Sequence, residues 1–97
     1  MKKFLCTFYL PEVMEADFWT TIPRHRRHMN QLMRDEKIVT YAVNQNRTKG
    51  WVVLQVANRS EADLLVEQFP IRPYIDFHIE ELFFFDSMLG TPKLVLN

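Results

Sequence analysis

Ninety-seven residues, 47% hydrophobic and 25% charged, describe one domain with a modest core. Twelve basic and twelve acidic side chains cancel, which removes any bulk attraction to polyanions and does little to oppose self-association. The single cysteine, Cys6, excludes an intrachain disulfide and a cysteine zinc cluster, so a reduced, cytoplasmic protein is expected.

Met1-Lys2-Lys3 and the apolar run Phe4 to Leu10 imitate the start of a signal peptide, but Pro11 to Glu15 offers no small-residue cleavage site. The run reads instead as a buried strand ended by Pro11. From about Glu15 to Lys37 the pattern is helical. Phe18, Ile22, His25, Met29, Leu32 and Met33 fall on one face at about 100° per residue. Pro23 interrupts it, so the helix either kinks there or starts nearby with Thr20 or Thr21 as its cap. Ile38 to Val43 is a β-branched second strand, Asn44 to Gly50 a polar hairpin loop, and Trp51 to Val56 a third strand. Ser60 is the expected cap of a second helix that buries Ala62, Leu65, Val66 and Phe69.

Pro70 and Pro73 follow, each with a fixed φ and no backbone N–H, and they bias Phe69 and Arg72 toward extended conformations. A rigid extended turn is expected to feed a fourth strand from Ile75 to about Phe85. There Ile75, Phe77 and Ile79 alternate with Asp76, His78 and Glu80. The order β-α-β-β-α-β predicts an α+β, ferredoxin-like domain over residues 1–85, with one antiparallel sheet and both helices on one face. The other face, presenting residues such as Tyr41, Trp51 and Val53 or their alternates, needs a cover, and a second copy of the chain is the simplest one. A homodimer or larger assembly is therefore expected. The tail, 86–97, turns at Gly90-Thr91-Pro92 and ends in Lys93-Leu94-Val95-Leu96. It is expected to pack on a neighbouring subunit, the alternative being a flexible end. No stretch reaches the roughly 20 apolar residues of a membrane span, so no membrane partner is expected.

Gln68, Pro70, Pro73-Tyr74 and Asp76, with apolar Ile75, Phe77, Ile79 and Leu82, resemble the last-strand motif of the muconolactone isomerase-like family. Leu10-Pro11 and the spacing of the six elements fit as well, so the resemblance runs from about Phe4 to Leu82. It implies a dimeric α+β barrel, rings of dimers, and a ligand pocket between helix and sheet at a subunit interface. It also implies a proton shift in an unsaturated lactone with no metal and no organic cofactor. The first helix departs from the family: Pro23-Arg24-His25-Arg26-Arg27-His28 stands where the isomerases are rich in carboxylates and lysine. Val39 to Val43 likewise lacks the family's basic and histidine side chains. Substrate and activity must therefore be read from the site.

Moving a double bond in a lactone needs a base with a pKa near working pH and a donor or cation for the enolate. Histidine has the intrinsic pKa, and arginine can hold a carboxylate through two parallel hydrogen bonds. Arg24, His25 and His28 lie within little more than one helical turn, giving candidate acid/base groups in His25 and His28 and a carboxylate clamp in Arg24. The alternatives are a core histidine satisfied by a backbone carbonyl at His25, and a solvated face at Arg24, Arg26 and Arg27. Asp76 and His78 share a strand face, as an acid/base pair at a cavity or as polar residues of a half-exposed edge strand. Tyr74 is a candidate substrate contact or a structural tyrosine with its hydroxyl tied to backbone. Tyr41 and Trp51 are candidate pocket walls or interface core.

No histidine spacing matches a metal-ligand motif, so no metal is expected. Lys49 to Val56 begins like the third-strand motif of RNA-recognition domains, but Val53 stands where a stacking ring is needed, and no nucleic-acid partner is expected. The expected function is that of a small-molecule-binding homo-oligomer, a cofactor-free isomerase acting on a lactone or unsaturated carboxylate. The alternatives are a non-catalytic binding or assembly module, and a cofactor-free oxygenase whose pocket is lined by Trp51, Tyr41 and Phe77. The isomerase reading requires Arg24, His25 and Asp76 to line one cavity.

Overall fold

Four extended segments form one antiparallel sheet in the computed structural model, which describes residues 1–88. The strands are β1 (Lys2–Tyr9), β2 (Ile38–Val43), β3 (Lys49–Val56) and β4 (Asp76–Glu81). Two helices, α1 (Ala16–Arg34) and α2 (Arg59–Glu67), and a one-turn 3-10 helix at Arg72–Tyr74 complete the chain order. The sheet order is β2-β3-β1-β4, so the expected β-α-β-β-α-β arrangement is the one adopted.

The period of two along each strand decides which side chains meet the helices. Register sets Cys6 opposite Val52 on one side and Ile79 on the other, and Phe8 opposite Gly50 and Phe77. This row, with Phe4 and Leu54, packs against Phe18, Met29 and Leu32 of α1 and Ala62 and Val66 of α2 to make the core. The alternate row carries Leu5, Thr7 and Tyr9 of β1, with Trp51 and Val53 of β3 and Asp76, His78 and Glu80 of β4 beside them. Trp51 and Val53 belong to the face away from the helices, as expected, but Tyr41 does not. The β2–β3 register shifts between Ile38 and Thr40, so Tyr41 falls opposite Val52 in the helix-facing row. One extra residue in a strand reverses the facing of everything beyond it.

Local chemistry departs from expectation at four points. First, α1 neither starts at Pro23 nor takes Thr20 or Thr21 as its cap; Glu15 is the N-cap and Pro23 lies inside the helix. Both threonine hydroxyls donate to the Asp17 carbonyl at 2.9 Å. Proline vacates only the bond to the carbonyl four residues back, and Phe18, His25 and Met29 are buried on either side of it. Second, α2 is capped by Asn58 and not by Ser60. Asn58 Oδ1 accepts from the Glu61 N–H at 2.9 Å, while Glu61 Oε1 accepts from the Ala57 N–H at 2.9 Å.

Third, the proline-flanked turn is helical, not extended. The Arg72 N–H donates to Phe69 O at 2.8 Å and the Tyr74 N–H to Ile71 O at 2.9 Å. The Arg72 guanidinium locks this turn by pairing with Glu67 at 2.9 Å, donating to Ile75 O at 3.0 Å and lying 4.9 Å from the centre of the Phe77 ring. These contacts outweigh the bias of a pre-proline residue. Fourth, β4 ends at Glu81, four residues short of Phe85, and Phe83 and Phe84 are exposed. The turn at Gly90 and the apolar end at Leu94 to Leu96 lie outside the described residues. Among the described residues no helix is long and apolar enough to cross a membrane.

Candidate functional site: an apolar cleft beneath the first helix

The N-terminal half of α1 does not seal the helix-facing side of the sheet. It leaves an open cleft of about 310 Å³. Phe18, Trp19, Ile22, His25 and Arg26 come from the helix, at spacings that place them on one stripe. Phe8 and Leu10 from β1 and its end, and Tyr41 and Val43 from β2, form the opposing wall. Gly50 makes room for this wall. A Cβ at that position would lie 2.3 Å from Phe8 Cζ and 2.8 Å from the Ala42 carbonyl oxygen, so only glycine lets the Phe8 ring lie across β3. The glycine that reads as the end of a loop in the sequence is thus inside a strand.

An outer groove of about 530 Å³ adjoins the cleft and shares Leu10, Met14, Trp19 and Arg47 with it. Trp19 is anchored at this boundary by its indole N–H, which donates to the Met14 carbonyl at 3.0 Å.

His25 is the titratable group of greatest chemical interest in the cleft. Its side chain is buried, its Nδ1 has no hydrogen-bond partner, and its ring meets Phe69 edge-on at 5.7 Å between centroids. Burial, and after it the neighbouring His28, pushes its pKa down to about 4, so the imidazole is neutral at physiological pH. The backbone-satisfied core histidine of the sequence reading is therefore not what forms. His28 lies just outside the cleft, with its Nε2 buried and unpartnered and its ring 6.3 Å from Phe69.

Of the other candidates, Tyr41 lines the cleft and Arg24 does not; Arg24 is exposed on α1. Trp51 lies on the far face of the sheet, with the Lys49 ammonium 5.5 Å from its ring centre. Asp76 and His78 are on that same far face, exposed, with His78 packed 6.0 Å from the Tyr9 ring. Tyr74 packs its ring edge-on against Phe18 at 5.5 Å, and its hydroxyl meets the Asp17 carboxylate at 3.2 Å, not the backbone. The single chain thus does not gather Arg24, His25 and Asp76 around one cavity. The sheet separates them, because residues 25 and 76 belong to opposite sides of it.

Two cleft residues, Arg26 and Arg47, carried no clear signal in the sequence. Arg26 is one of three arginines within residues 24–27 whose facing depends on the rotation of α1, and Arg47 sits in a loop whose backbone path is not written in its composition.

No family model matches this sequence, and no curated protein matches it either. The architecture does find similar folds among solved structures. One is the crystal structure of muconolactone isomerase at 3.3 Å resolution, which superposes with a TM-score of 0.67 at 19% sequence identity, over 92% of this chain and 96% of that one. With the strand order, the two helices on one face and the proline-flanked entry into β4, this match shows that the chain has the muconolactone isomerase fold.

Proposed function

We propose that this protein binds a small, largely apolar carbonyl compound in the cleft beneath α1, working as a homo-oligomer. The observation that carries this reading is a neutral, buried imidazole with an unused nitrogen in the wall of a mostly apolar cleft. Apolar walls supply affinity, and a few polar groups fix orientation. An unpartnered buried nitrogen is an open hydrogen-bonding position that a ligand can fill. In this reading Asp76, His78 and Trp51 face a second copy of the chain across the open side of the sheet.

A second reading keeps only the histidine of the site expected from the sequence: with Arg24 and Asp76 outside the cleft, His25 alone would carry a cofactor-free proton shift in an unsaturated lactone or carboxylate. A base with a pKa near 4 abstracts protons weakly at neutral pH, which is why binding comes first here. A bound anion would raise that pKa toward the useful range. The test is incubation with muconolactone and a panel of unsaturated lactones in D₂O, followed by NMR. Deuterium uptake that disappears in His25→Ala supports the proton shift. Saturation transfer to the ligand without uptake supports binding alone. If the panel gives neither signal, both readings fail for this class of compound.

A further inference from the structure

We infer that Arg47 makes the cleft selective for ligands with an apolar body and a carboxylate head. The inference rests on the reading of the cleft as a ligand site and adds which ligands it takes. Arg47 lines both the apolar cleft and the outer groove, so its side chain stands where one opens into the other. Its backbone is held there under strain, at φ 58°, in the left-handed region that disfavours every residue with a Cβ. Glycine or asparagine is the common choice at such a position, although Glu36 adopts it too, at φ 61°.

The turn itself is rigid. The Arg47 N–H donates to the Asn44 carbonyl at 3.0 Å, and Asn44 Oδ1 accepts from the Thr48 N–H at 2.9 Å and the Lys49 N–H at 3.2 Å. The Thr48 carbonyl in turn accepts from the Leu10 N–H at 2.9 Å, tying the hairpin to the end of β1. The loop that carries Arg47 to the boundary of cleft and groove is therefore pre-set.

It is also uncommitted. Among the described residues neither Arg47 nor Arg26, the other cation of the cleft, forms an ion pair, although Glu12 lines the same outer groove. Elsewhere in the chain Arg59 and Arg72 are each matched to a carboxylate, whereas the exposed Arg24, Arg27 and Arg34 form no ion pair among the described residues. A planar guanidinium fork suits a carboxylate held by two parallel hydrogen bonds. The apolar walls inside the mouth suit the rest of an amphipathic acid, whose hydrocarbon or aromatic body would lie against Phe8, Ile22 and Tyr41.

The test compares 3-phenylpropanoate with its uncharged amide by calorimetric titration and by tryptophan fluorescence. The wild-type protein should bind the acid about tenfold more tightly than the amide, a ratio that shrinks with added salt. Arg47→Gln should bring the two affinities close to each other, mainly by weakening the acid. Arg27→Gln, which removes the same charge from outside the cleft, should preserve the ratio. Equal affinities for acid and amide in the wild type, or equal ratios in Arg47→Gln and Arg27→Gln, would overturn the role of Arg47 and leave the cleft as a ligand site. Failure of both compounds to bind would overturn the inference together with the reading beneath it.

Discussion

His25 owes its place to helical spacing and its state to packing. Its place on the apolar face of α1 follows from helical spacing. Its missing partner, its contact with Phe69 and its neutrality are products of packing. The depressed pKa has a consequence for stability. Above pH 6.5 the histidine is neutral in both folded and unfolded chains and contributes no pH dependence. Below that, the unfolded chain takes up a proton that the folded chain refuses until about pH 4. Stability should therefore fall as pH drops through this window, by roughly 3 kcal/mol in all. Urea unfolding of wild type and His25→Gln from neutral pH downward measures this, and the variant should show the shallower slope. Identical slopes would mean that His25 is not held neutral. Cys6 needs no such test for chemistry: burial pushes its thiol up to about 12, so it stays protonated in the core.

At the scale of elements, the patterns of two and of 3.6 were legible, and the punctuation was not. Pro23 could mark either a boundary or a break within the helix, and it is an interior residue, because the buried face of α1 continues on both sides of it. The prolines at 70 and 73 looked like an extended turn and enclose a 3-10 turn, because Arg72 finds three partners there. Gly50 looked like a loop residue and became the strand position over which Phe8 lies. That last reversal is testable. Gly50→Ala should destabilise the protein by about 1–3 kcal/mol, since Phe8 must leave its rotamer or the β2–β3 pair must part. Chemical denaturation checks the magnitude. A variant as stable as wild type would show that Phe8 moves freely, and the wall of the cleft with it.

For the whole molecule the open question is what covers the far face of the sheet. Leu5, Trp51 and Val53 lie on it beside Thr7, Tyr9 and His78, and no helix among the described residues packs there. Apolar side chains on so regular a surface favour a second, identical surface. The expected outcome of sedimentation equilibrium at micromolar concentration is a dimer or larger assembly. Trp51→Lys should shift it toward monomer, with the far-ultraviolet spectrum preserved. A wild-type monomer at that concentration would remove the paired-sheet architecture and with it the interfacial role of Asp76 and His78.

The sequence by itself determined the element order, the ferredoxin-like class, the helix-facing identity of most apolar residues and the likeness to muconolactone isomerase, because each follows from periodicity and short motifs along the chain. It did not determine the site. Arg24, His25 and Asp76 could be drawn together on paper, but the sheet stands between them. Arg26, Arg47 and Tyr41 could not be singled out as neighbours, yet the fold brings them to one cleft. A helix's rotation, a one-residue bulge in β2 and a left-handed residue at a hairpin made that decision. None of the three leaves a mark in composition, because each is set by the packing of elements far apart in sequence.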